Sequence, residues 1–362
     1  ELNLRFFNNF VKSRTFYQIG TGQEQRREFQ YLQVAAGNGV YVWNDYDSNS
    51  LQTLNEFELA STLDKARADY IKIFTPVAGF FTTNSNKLSQ TVQLDPSVFF
   101  KGRKNKVFVS RFNSITSLLL DSKVLPTDAI SFINPFQENL SDTSLISSSR
   151  TVRNTLFFNR GNPKYSMDYT FRSSDSKVLL TNGFDSRAAD EHIGNIRINL
   201  GRLFTLDARL ARGQKEYTSE FFQENSYLYS FFEIEPKVQF TYRNQYRFEL
   251  LTKYFDAQNT EELGGESSEN FEIGGQFKYT KAGKGAVDMG LSYIRISYDG
   301  SASSALGYEL LRGLQDGNNA TWKLGYQRTL PNNIQVILSY DGRKSEESDV
   351  IHLGRLVARY LF

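Results

Sequence analysis

The run DVIHLGRLVARYLF, Asp349 to Phe362, decides the fold. Counting back from the C-terminus, Phe362, Tyr360, Ala358 and Leu356 share one parity, while Leu361, Arg359, Val357 and Arg355 share the other. Two arginines therefore stand opposite a row that is apolar or small and ends in an aromatic. That is a period-2 strand with two chemically different sides.

Working outward, the alternation recurs along most of the chain. Phe232, Ile234, Val238, Phe240 and Tyr242 oppose Glu233, Glu235, Lys237 and Gln239. Tyr246, Phe248 and Leu250 oppose Arg247 and Glu249, and Phe271, Ile273, Phe277 and Tyr279 oppose Glu272, Gln276 and Lys278. Trp322, Leu324 and Tyr326 oppose Lys323 and Gln327, and Tyr165, Met167, Tyr169 and Phe171 oppose Asp168 and Arg172. Between these runs, short turns (102–105, 161–163, 201–202, 244, 282–284, 331–333) alternate with long connections centred near 135, 182, 221, 262, 308 and 345. Such segregation is the pattern of transmembrane barrels, and a soluble sandwich has no reason to adopt it.

Composition agrees. The 362 residues include 30 Phe and 20 Tyr but only 2 Trp, and no Cys. Mean hydropathy is −0.46, and no apolar run approaches the length of a transmembrane helix. A barrel escapes that test because its two faces average out. A formal net charge of +2 gives no reason to expect nucleic acid. The expected fold is all-β: an antiparallel up-and-down transmembrane barrel of about 14 strands, with 12 or 16 as alternatives. It would occupy residues 67–362, with a small β-rich module at 1–66 whose strands meet in a hairpin at Gly37-Asn38-Gly39. Residues 67–86 read either as a first membrane strand, Tyr70 to Phe81, or as a loop packed in the lumen, and Pro76 demotes any central strand there. The opening at Glu1, directly into a strand-like run, favours a fragment of something longer.

The module ends in a set of oxygen-bearing positions. Asp45, Asp47, Asn49, Leu51, Thr53 and Glu56 occupy positions 1, 3, 5, 7, 9 and 12 of an EF-hand-like loop, Leu51 through its backbone carbonyl. A structural Ca²⁺ is the expected cofactor. Ser50 stands at position 6, where the sharp turn ordinarily takes Gly, and a solvated Asx-rich turn is the competing reading.

In the barrel the polar face would carry lumen charges of both signs: Glu233, Glu235, Lys237, Arg247, Glu249, Glu272 and Lys278. No enzymatic activity is expected. A nucleophile–base pair would need His192 or His352, both near the predicted outer rim. Outer-membrane phospholipases carry such groups on the exterior, but no matching Ser and Asn accompany the histidines. Tyr217, Phe221, Phe222, Tyr227 and Tyr229 form an aromatic cluster that could stack sugars, although an interfacial girdle explains them better.

A closing strand with a terminal aromatic resembles the signal read by the assembly machinery of bacterial outer-membrane barrels, which would assign that role to Tyr360 and Phe362. The runs Gly20–Glu58 and Tyr308–Phe362 resemble the C-terminal β-barrel region of large outer-membrane proteins of Bacteroidota. The resemblance implies an outer-membrane location and a longer precursor, and it supplies no catalytic residues. Outer-membrane lipid and other envelope or surface proteins are the expected partners. The expected role is a structural anchor or subunit of a cell-envelope complex; the alternative is a pore or translocation channel for a solute or polypeptide. A plugged, ion-paired interior would favour the first and conductance the second.

Overall fold

The computed structural model describes residues 1–35, 37–46, 50–53, 56–60, 67–100, 108–126, 134–136, 144–180, 183–220, 222–331, 333–346 and 348–360. Among them, the strands in chain order are β1 (Leu2–Phe6), β2 (Val11–Gln33), β3 (Tyr41–Trp43), β4 (Phe57–Leu59), β5 (Tyr70–Leu94), β6 (Phe112–Val124), β7 (Leu145–Phe158), β8 (Tyr165–Leu180) and β9 (Gly183–Leu200). They continue as β10 (Phe204–Ser219), β11 (Tyr227–Tyr242), β12 (Tyr246–Asn259), β13 (Ser267–Lys281), β14 (Gly285–Asp299), β15 (Gly317–Thr329), β16 (Ile334–Ser345) and β17 (Ile351–Tyr360). One helix, α1 (Ala305–Leu311), lies between β14 and β15.

β1 pairs with β2 and β2 with β5. From β5 to β17 each strand pairs with the next, always antiparallel. The result is an up-and-down sheet of 15 strands, one more than the expected 14. The extra strand comes from the N-terminus. Residues 1–33 lie in the large sheet, so the expected module at 1–66 shrinks to the stretch between β2 and β5, where β3 and β4 form a small sheet. The run QEQRRE, too polar on both sides to show alternation, is strand because β5 pairs with it along its length. Pro76 sits within β5 opposite Arg27, beside a bulge between Gln25 and Arg27, a place where a proline is tolerated in a sheet.

The hairpin expected at Gly37-Asn38-Gly39 does not form. Those residues clasp residues 68–70 instead: the Gly37 and Gly39 N–H groups donate to the Ala68 carbonyl, and Val40 N–H donates to Tyr70 O. A Cβ on Gly39 would lie 2.5 Å from Tyr70 N, so the close approach requires glycine. The connection near 182 is also not long, because β8 and β9 leave only two residues between them.

Register gives the large sheet two unlike faces. One row of neighbours runs Phe204, Phe240, Phe248, Phe277, Met289, Leu324 and Tyr340 across β10 to β16. Its members and those of adjacent rows stay open to the surroundings, with Leu250 54% and Leu291 63% exposed. On β11 this apolar face extends from Phe232 to Tyr242, which at about 3.3 Å per residue and a barrel-like tilt spans roughly 25 Å. The buried residues lie elsewhere. Ala211, Tyr229, Phe231, Phe255 and Ala257, all from the opposite face, close over Leu306 and Leu310 of α1. A second cluster joins Tyr41 and Tyr70 with Tyr31, Val40, Trp43, Phe57 and Phe222. Burial pushes the Tyr41 phenol well above its ordinary range, helped by Tyr31 and Glu220.

Candidate functional site

The expected lumen charges share one face. Register sets Glu249 opposite Gln239 and Gln276, Lys237 opposite Asp207, Arg247 opposite Lys278, and Glu272 opposite Lys253. Glu233 is the centre of the group. It is 5% exposed and accepts from both Arg209 and Lys253, the latter at 2.7 Å. Lys237 bridges Glu235 at 3.4 Å and Glu249 at 3.3 Å. The pairing continues along the same face through Arg197–Asp207, Arg172–Glu191, Lys87–Asp121 and Lys123–Glu24. Arg247, Glu272 and Lys278 lie on this face without a salt bridge among the described residues. Lys253 was missed because its neighbours Thr252 and Tyr254 give no apolar contrast to reveal its side.

α1 covers the long-loop end of this face. Ser304 caps it, its hydroxyl accepting from Gly307 N–H at 2.9 Å, and Arg312 ends it in a left-handed conformation. Leu306, Leu310 and Leu311 are buried, and Glu309 accepts from Lys215 at 3.2 Å and from the Tyr229 hydroxyl at 3.3 Å. The helix therefore reaches back from β14 across β12 and β11 to β10. Toward the short-turn end, a cavity of about 660 Å³ remains, lined by Arg160, Asp168, Arg197, Asp207, Lys237 and Glu249 among others.

The aromatic cluster is used for packing. Tyr217 and Tyr227 pair at 5.5 Å, Tyr229 lies against α1, and Phe222 packs on the Tyr41–Tyr70 cluster; Phe221 lies outside the described residues. The histidines stand on the apolar face, each hydrogen-bonded through Nδ1 to a tyrosine hydroxyl: His192 to Tyr169 at 2.6 Å and His352 to Tyr340 at 2.8 Å. In both cases the tyrosine faces a glycine, Gly194 or Gly354, and leans toward the histidine two residues along. Such tyrosine–histidine pairs suit the polar border of an apolar belt.

Of the calcium-loop positions, Asp47 and Asn49 lie outside the described residues, as does Phe362. Ser50 has a φ of 59°, the left-handed turn that position 6 requires, and its N–H donates to Asp45 Oδ2 at 2.9 Å. Leu51 is exposed. Thr53 N–H and the Trp43 indole both donate to Glu56 Oε2 at 3.0 Å, and Glu56 is buried. Trp43 as a partner of Glu56 was not foreseen, since the contact joins β3 to the turn before β4. Tyr360 ends β17 on the apolar face, opposite Ile334.

The chain matches no protein-family model and none of the curated proteins with which it was compared.

Replacing Glu233 with Gln removes the carboxylate that Arg209 and Lys253 share. Thermal unfolding of the purified variant is expected to show a loss of about 1–3 kcal/mol, whereas replacing all three residues with Met restores most of it. Equal stability of E233Q and the parent would contradict the network.

Proposed function

We propose that this chain is an outer-membrane β-barrel with an occupied interior, acting as an anchor or subunit of a cell-envelope complex. The observation that carries this reading is the joint state of the charged face: α1 packed on its aromatic end and a row of ion pairs along its length. Opposed charges held against each other would line a poor path for ions, and a helix fixed by three buried leucines would act as a plug inside a closed barrel. The exposed apolar face, about the height of a bilayer core, supports the membrane location. A solute pore is the alternative. The cavity toward the short-turn end favours it, and α1 packed over the same face counts against it. Planar-bilayer recording of the refolded chain separates the two. Insertion without steady current is expected, and stable conductance that scales with salt would make the chain a pore.

We also propose Ca²⁺ as a structural ligand of the loop Asp45–Glu56, supported by the left-handed Ser50 and its bond to Asp45. Asp45 and Glu56 would bind it through their carboxylates, drawing Glu56 away from the indole of Trp43. With the other tryptophan replaced (Trp322→Phe), Ca²⁺ titration is expected to change the Trp43 emission, and Glu56→Gln to abolish the change. No response up to roughly millimolar Ca²⁺, the weak limit for extracellular sites, would overturn this assignment.

A further inference from the structure

A cavity of about 780 Å³ lies on the opposite side of the sheet from α1 and the ion pairs, at the long-loop end of β5 to β10. Register shows which face carries it. Asn86, Ser122, Ser148, Lys177, Ser186 and Thr218 are successive neighbours across these six strands. Arg150, Asp175, Ala188 and Glu216 form the adjoining row on the belt side. Both rows share the face of Phe171 and His192. On β9 they lie four to six residues past His192, roughly 13–20 Å of strand beyond the border of the apolar belt. Pro135 and Phe136, from the connection between β6 and β7, line the same cavity, and its lining residues Asn84, Asn86 and Val124 are buried.

The lining is graded from apolar to polar. Leu118 and Val152, opposite one another, stand at the belt side, while amides and hydroxyls fill the far row. Charge is balanced: Arg150, Lys177 and Arg187 against Asp121, Asp175 and Glu216. Arg150 is already engaged, donating to Asp175 Oδ2 from Nε at 3.0 Å and from Nη2 at 2.9 Å. Anionic head groups are held by clusters of Lys and Arg, and a phosphate here would meet as many carboxylates as cations. An uncharged, hydroxyl-rich group suits the site better. Each of its hydroxyls both donates and accepts, so it can pair with Asn amides, Ser and Thr hydroxyls and the oxygens of Asp175 and Glu216. Phe136, 59% exposed, offers a ring to the apolar side of a sugar.

Resting on the barrel reading, we propose that this cavity binds the uncharged sugar head group of a membrane glycolipid, whose acyl chains lie on the apolar face past Leu118 and Val152.

The test uses the full chain refolded in a sugar-free polyoxyethylene detergent and native mass spectrometry. Three lipids with matched chains are added: monogalactosyl diacylglycerol, phosphatidylglycerol and phosphatidylethanolamine. The galactolipid is expected to be retained at least about tenfold more tightly than either phospholipid. Phe136→Ala, and separately the charge-neutral pair Arg150→Ala with Asp175→Ala, are each expected to remove most of that preference while leaving phospholipid retention unchanged. Equal retention of the three lipids, tightest retention of a phospholipid, or an undiminished preference in both variants would each overturn the proposal. So would displacement of the galactolipid by an equal concentration of methyl galactoside, which would make the cavity a site for free sugar. Flotation with phosphatidylethanolamine vesicles separates the two levels. A chain that floats but shows no preference for the galactolipid loses the sugar site and keeps the barrel. A chain that does not float loses the barrel reading itself.

Discussion

Strand register is the constraint on which the rest of this structure depends. With a side-chain period of two, a slip by one residue in any ladder would carry Phe248 and Leu250 to the side of Glu233 and bring Glu249 among the phenylalanines. The consequences would be large because the faces differ so much. One buries a carboxylate between two cations and seats a helix, whereas the other keeps large apolar side chains open. In water the open face would be a liability, since soluble monomers rarely display apolar patches of that extent. In a bilayer it is the stable arrangement, and the charged face must then satisfy itself. The ion pairs that run from β2 to β12 are that satisfaction.

The regular part of the fold was legible because alternation survives in strands whose two faces differ in chemistry. Tyr165–Phe171, Phe232–Tyr242 and Tyr246–Leu250 each announce strand, side and direction. The seven charges expected to line a lumen came from the same parity, and register places all seven on one face of the sheet. What alternation cannot express was missed. β2 is polar on both sides around Gln23–Glu28, so no periodic pattern marks it as strand. β8 and β9 run on past the apolar belt, and their polar outer ends looked like a long connection. Contacts between distant segments leave no periodic trace either, as with α1 on Tyr229 or the indole of Trp43 on Glu56.

Ser50 shows how a residue type can mislead. Gly is usual at the turn of a calcium loop because it adopts positive φ without cost. A serine held at φ 59° by a hydrogen bond from its own N–H to Asp45 reaches the same backbone state. At the clasp of Gly39 on residues 68–70, by contrast, the need is space rather than dihedral freedom, and no other residue fits.

The central claim is that one face meets lipid while the other encloses a helix and paired charges. The absence of native cysteine makes it directly measurable. Single cysteines placed in turn at residues 248 to 253 of β12, spin-labelled and reconstituted in vesicles, report access to oxygen, which concentrates in lipid, and to a polar nickel chelate. The account predicts a period-2 alternation, with oxygen favoured at 248, 250 and 252 and the chelate or neither at 249, 251 and 253. Uniform access of the chelate at all six positions would contradict it.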